Sequence, residues 1–104
     1  MAKPVIIAKI TAAEGKRDQV IAAFQPMLEH VQQGEGGTEV YVLHTDDKNA
    51  DVVWFYELYT DGDAVATHSG SDVMAAVGKQ LGGLLAGRPE ISRLTPLAGK
   101  GLEL

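Results

Sequence analysis

Two side chains in the stretch VVWFYELYTDGDAVATHSGSDV, residues 52–73, have the types and spacing to move protons. Glu57 stands inside the most apolar run of the chain, and His68 follows among alanines. A carboxylate buried without a donor is costly, and desolvation raises its pKa. A histidine resting on small residues at a helix–sheet boundary exchanges protons near neutral pH. The pair therefore indicates a general acid–base site.

Both residues also have a structural interpretation. Glu57 could form an ion pair with Lys9 or Arg93, or cap the loop that follows it, because most buried acids are satisfied in this way. His68 could be a structural or merely exposed histidine. The sequence alone leaves these alternatives open beside the catalytic one.

Metal and cofactor sites lack sequence support. His30, His44 and His68 are far apart in the chain, without the spacing of a helical metal site. There is no cysteine, and the glycines of residues 78–87 match neither the Walker nor the dinucleotide pattern. We therefore expect no bound metal and no redox cofactor.

Composition limits the remaining classes of function. The 104 residues are 45% hydrophobic and 22% charged, which is typical of one globular domain. The net charge is -5 and the basic residues are scattered, so nucleic acid is not an expected partner. Lys9 interrupts the short apolar run at the N-terminus, so we expect neither a signal peptide nor a membrane span, and a cytoplasmic location.

The order of the predicted elements must explain how Glu57 and His68 are positioned. It is β-α-β-β-α-β, which favours an α+β, ferredoxin-like split βαβ fold, an antiparallel sheet with helices on one face. Pro26 predicts a kink or break in the first helix, Gly70 predicts a break in the second, and Pro96 indicates an edge strand. We expect a domain over residues 4–97 and a tail over 98–104. The predicted elements are strands at 4–12, 38–44, 52–60 and 91–97 and helices at 16–33 and 61–81.

The two faces of the predicted sheet indicate a partner. Alternation along the strand 52–60 places Glu57 and Tyr59 on one face and Trp54 on the other. Both faces are apolar, yet helices cover only one. The economical cover for the open face is a second copy of the chain, so we expect a homodimer.

Three segments together resemble the antibiotic-biosynthesis monooxygenase superfamily, in particular its quinol-monooxygenase branch. They are GEGGTEVYVLH at 34–44, FYELYT at 55–60 and DAVATHSGSDV at 63–73. The order and spacing of their motifs carry the likeness, which covers about residues 4–97. The matching positions are Gly36 and Gly37 in an E-x-G-like turn, Tyr41, Glu57 with Tyr59, and His68.

The resemblance implies a ferredoxin-like protomer, a dimer whose sheets form an α+β barrel, and oxygenation by O2 without flavin, haem or metal. The substrate, a quinol or polyphenol, would supply the electrons. His68 would remove a phenolic proton and Glu57 would orient or stabilise that base. Trp54, Tyr41 and Tyr59 would wall the pocket or hydrogen-bond the ring oxygens.

Two other functions are compatible with the same fold. The haem-degrading members of the superfamily carry a tryptophan near the position of His68, an axial histidine near Gly78 and an asparagine near Lys9, and this sequence has none of the three. The other alternative is a non-enzymatic dimeric stress or small-ligand-binding protein, because fold does not fix function.

Overall fold

The structure, a computed structural model, describes residues 3–101 and contains four strands and three helices in that range. The predicted order is confirmed, with the second helical segment divided in two. No helix within these residues is long and apolar enough to cross a bilayer. The elements are β1 (Val5–Thr11), α1 (Arg17–Gly34), β2 (Thr38–Thr45), β3 (Val52–Tyr59), α2 (Gly62–Ser69), α3 (Asp72–Gln80) and β4 (Glu90–Leu94).

The strands form one antiparallel sheet in the order β2-β3-β1-β4. The first and third strands in the chain lie side by side at its centre, which is the split βαβ arrangement of a ferredoxin-like α+β fold. β4 lies at the edge of the sheet, as predicted, but it ends at Leu94, so Pro96 lies beyond the ladder and not within it as predicted. Residues 98–101 of the predicted tail contain no helix or strand, and 102–104 lie outside the described residues.

Of the two effects predicted at Pro26, a kink or a break, the break is wrong, because α1 is continuous across this residue. An interior proline costs about 3 kcal/mol in helix stability. The face that packs on the sheet compensates, since it buries Val20, Phe24, Met27 and Val31. Tertiary packing therefore overrides the local preference of proline.

The break at Gly70 is confirmed, and side-chain caps define the helices on both of its sides. Asp61 accepts a hydrogen bond from the Ala64 N–H at 2.9 Å and starts α2. Ser71 accepts one from the Met74 N–H at 3.1 Å and starts α3. Helix α2 is thus only eight residues long, and it carries His68 in its last turn.

The two faces of the sheet differ in their cover. The helices pack on the face that carries Phe55 and Glu57, and the main hydrophobic core lies between them. On the opposite face Trp54 and Tyr56 are half-buried, and Val42 remains 44% exposed. The acidic residue of β3 therefore points toward the helices, while the tryptophan points away from them.

Candidate active site

A cavity of about 200 Å³ lies between the sheet and the helices. Most of its wall is aliphatic or aromatic, and its polar groups come from Glu57, His68, Ser69 and the hydroxyl of Tyr41. Such a site has the character of a small-molecule pocket, apolar with a few convergent polar groups. The other lining residues are Ile6, Ala8, Ile10, Phe24, Tyr41, Phe55, Met74, Leu81, Pro89 and Ile91.

His68 reaches this cavity from α2 and is held between two carboxylates. Its Nδ1 lies 2.8 Å from Glu35 Oε1, and its Nε2 lies 3.9 Å from Glu57 Oε1. An ionised carboxylate only accepts hydrogen bonds, so Glu35 favours the tautomer with the proton on Nδ1. Nε2 is then the free acceptor on the side of Glu57 and the cavity.

Glu57 is buried in β3 and receives a hydrogen bond from the Tyr59 hydroxyl at Oε1. Burial raises the pKa of Glu57, and this effect outweighs the hydrogen bond from Tyr59 and the charge of His68, which lower it. The carboxyl thus keeps its proton to a higher pH than an exposed glutamate does. The structure places Glu57 and His68 in one cavity, as the catalytic interpretation requires.

Two tyrosines flank the histidine. The ring centroid of Tyr41 lies 4.9 Å from that of His68, and the centroid of Tyr59 lies 5.6 Å from it. Burial, together with the carboxylates nearby, raises the pKa of both phenols above the ordinary value. They stay neutral and can donate hydrogen bonds. Tyr41 lines the cavity, whereas Tyr59 acts on it through Glu57.

Trp54, the third predicted wall residue, does not line the cavity. It lies on the opposite face of the sheet, where its Nε1 donates to Asp46 Oδ2 at 2.8 Å. Lys9, considered above as a partner of Glu57, lies over the Trp54 ring and has its Nζ 4.0 Å from Glu90. The structure therefore separates these residues from the site.

Glu35 is the residue that the sequence interpretation missed. It follows α1 directly, is 8% exposed, and accepts a hydrogen bond from the Thr38 hydroxyl at 2.8 Å. His30, named above only among histidines without metal-site spacing, has its Nε2 3.2 Å from Glu35 Oε2. The sequence signal that could have identified Glu35 is its position as an acidic residue among glycines in GEGG, residues 34–37, within the E-x-G-like turn. Within residues 3–101 no three histidine or acidic side chains are grouped as a metal site.

Replacing Glu57 by glutamine is expected to stabilise the protein at alkaline pH. The raised pKa means that the folded state binds the Glu57 proton more tightly than the unfolded state, whose pKa is near 4.5. The stability from this group is therefore full below pH 4.5 and is lost as the pH rises through the folded pKa. In urea titrations at pH 8, the free energy of unfolding of Glu57→Gln should exceed that of wild type by on the order of 1 kcal/mol. At pH 5 the difference should be smaller.

Glu39→Gln is the matched control for this pH dependence. Glu39 is exposed, and hydrogen bonds from Lys3 and Thr60 lower its pKa. Its contribution to stability is present above its unfolded pKa, so the loss on substitution should grow with pH. Equal pH trends for the two variants would contradict the assignment of Glu57 as a desolvated acid.

Comparison with known proteins identifies a family model and solved structures that are similar to this chain in sequence and fold. A family model described as antibiotic biosynthesis monooxygenase matches residues 5–80. The crystal structure of a candidate antibiotic biosynthesis monooxygenase from Caulobacter crescentus is 27% identical, covers 93% of this chain and 92% of its own, and has a TM-score of 0.87. A protein of Mycobacterium tuberculosis shares the fold at 22% identity, with coverage of 96% and 100% and a TM-score of 0.86. No curated protein sequence matches the chain.

Proposed function

Because this chain belongs to the antibiotic biosynthesis monooxygenase family, we propose that it oxygenates a small electron-rich aromatic of the quinol or polyphenol class with O2. The observation that carries the proposal is the pairing of His68 with Glu57 in an apolar cavity. Bound cofactors are absent from the proposed reaction, since an ionised quinol itself can reduce oxygen.

The first step of the proposed reaction is removal of a phenolic proton. His68 Nε2 is free to accept it, because Glu35 holds the proton of Nδ1. Glu57 lies beside Nε2 and would orient the ring of the base. Tyr41, whose raised pKa keeps it neutral, is available in the wall to donate a hydrogen bond to a ring oxygen.

The remaining steps consume one O2. The quinolate gives an electron to O2, and the two radicals recombine at a ring carbon. Loss of water from this adduct leaves one oxygen atom on the ring and converts a hydroquinone to a hydroxyquinone. The apolar walls favour this sequence because they keep bulk water from the adduct. The protein thus supplies proton transfer and position, and the substrate supplies the electrons.

The size of the cavity narrows the substrate class. Pockets for drug-sized ligands measure about 300–1,000 Å³, and this cavity is about 200 Å³. We therefore expect substituted hydroquinones with one ring to fit better than three-ring anthrones. The test is oxygen uptake with both series in the presence of a chelator, with hydroquinones turned over at the higher kcat/KM.

The same assay separates the enzyme from a binding protein. Binding of hydroquinones in calorimetry without oxygen uptake would overturn the oxygenase proposal and favour a small-ligand-binding protein on the same fold. Faster turnover of anthrones would overturn the size argument alone.

A homodimer is part of the proposal. The face of the sheet that the helices leave open is apolar, with Trp54 and Tyr56 half-buried and Leu94 48% exposed. A second copy of the chain placed sheet to sheet would cover these side chains. Sedimentation at micromolar concentration tests this, and a stable monomer would contradict it.

A further inference from the structure

A row of three ionisable side chains leads from the cavity to the surface. His68 contacts Glu35 Oε1 at 2.8 Å, and the second oxygen of Glu35 lies 3.2 Å from His30 Nε2. The side chains of His68 and Glu35 are 5% and 4% exposed, whereas that of His30 is 36% exposed. The row therefore begins at a buried base and ends in solvent.

We propose that Glu35 and His30 form a proton relay that connects the buried His68 with solvent. The relay deepens the proposed oxygenase function and rests on it for its purpose. The relay would be present in the protein without substrate, so it can be tested separately from the oxygenase function.

The surroundings of His68 favour this route over others. Glu57 faces it from β3 on the cavity side, and Tyr41 and Tyr59 pack against its ring. Both phenols have a raised pKa and do not carry protons away near neutral pH. On the remaining side stands Glu35, whose carboxylate has polar contacts with Thr38 and His30 besides His68 among residues 3–101. A proton on the His68 ring therefore leaves through Glu35.

An incompletely satisfied oxygen supports the relay over a purely structural role for Glu35. Glu35 Oε2 is buried and makes no hydrogen bond among the described residues, although His30 Nε2 lies 3.2 Å from it. A buried oxygen without a partner is rare and costly. Rotation of the half-exposed His30 ring would align the contact, so His30 can meet the carboxylate in one position and water in another.

The proton balance of the relay is simple. His68 takes a phenolic proton at Nε2 and gives its Nδ1 proton to Glu35 Oε1. The protonated carboxyl of Glu35 rotates so that this same proton reaches His30 Nε2, and His30 gives its Nδ1 proton to water. The reverse sequence returns one proton for the water that leaves the oxygen adduct. No net proton is consumed, and the relay avoids holding a charged imidazolium in an apolar cavity.

The first test measures how fast the Nδ1 proton of His68 exchanges with water, by NMR of protein with 15N-labelled histidine and without substrate. His30→Gln keeps a donor near Glu35 but cannot shuttle protons, so exchange should slow by about 10- to 100-fold. His44→Gln is the control, since His44 is exposed and bonds to the Trp54 carbonyl instead. Exchange at the wild-type rate in His30→Gln would overturn the relay.

A second variant tests whether the effect of His30→Gln is direct. Glu35→Gln retains an oxygen for His68 and Thr38 but cannot pass a proton, so it should slow exchange equally. Free imidazole added to the solution should restore fast exchange in His30→Gln and not in Glu35→Gln, because it can replace only the outer member. Restoration in both variants, or in neither, would contradict the proposed order. Oxygen uptake plays no part in these measurements, so a failed oxygenase assay leaves their outcome intact.

Discussion

Replacing His68 by glutamine is expected to lower kcat for quinol oxygenation by about 10²- to 10⁴-fold, the usual contribution of a general base. Glutamine can still donate to Glu35, so the packing of α2 should be largely retained. What is lost is the free ring nitrogen beside Glu57. Stopped-flow oxygen uptake at saturating hydroquinone measures the effect, and KM should change much less than kcat.

The control for this variant is again His44→Gln, on the opposite face of the sheet, which should retain the wild-type rate. Circular dichroism and the unfolding midpoint show whether His68→Gln is folded. A folded variant that turns over at the wild-type rate would mean that His68 is not the base, and the proton acceptor would then have to be Glu57.

Substituting Gly37 by alanine is expected to give the largest loss of stability among the variants considered. A Cβ at this position would lie 2.6 Å from the Ala64 Cβ, closer than any ordinary contact. The turn cannot easily retreat, because the Gly37 carbonyl accepts a hydrogen bond from the Thr60 N–H at 2.9 Å. Overpacking of this kind costs about 1–3 kcal/mol, which urea unfolding measures directly.

Gly37→Ala should also impair turnover. Ala64 and His68 are one helical turn apart on α2, so a shift of Ala64 moves His68 away from Glu35. Gly36→Ala is the matched control, since a Cβ there meets no atom within 4 Å. Equal unfolding midpoints for the two variants would show that α2 adapts to the added methyl group.

Much of the fold follows from local signals in the sequence. β-Branched runs give the strands, and alternation along β3 places Glu57 on the face that the helices cover. Asp61 and Ser71, polar residues of the type that caps helices, start the helices on the two sides of the break at Gly70. These features are predictable because each depends on residues close together in the chain.

The parts that could not be predicted depend on distant contacts. Glu35 becomes part of the site only because the fold brings it against His68 of α2, and no spacing pattern records that approach. The continuity of α1 through Pro26 depends on the core that its other residues form. The assignment of Trp54 as a pocket wall followed the family resemblance and disagrees with the alternation along β3, which places Trp54 opposite Glu57 and away from the cavity.

The position of the single tryptophan has a spectroscopic consequence. Trp54 and Tyr56 lie on the open face of the sheet, while Tyr41 and Tyr59 adjoin the cavity on the other. The fluorescence of Trp54, excited selectively in its indole, should therefore change when another molecule covers the open face. Ultraviolet difference absorption reports the cavity through Tyr41 and Tyr59, two of the three phenols, and the tryptophan fluorescence identifies changes that arise at the open face instead. The chain thus carries two built-in optical probes, by which self-association and ligand binding are distinguishable in one unlabelled sample.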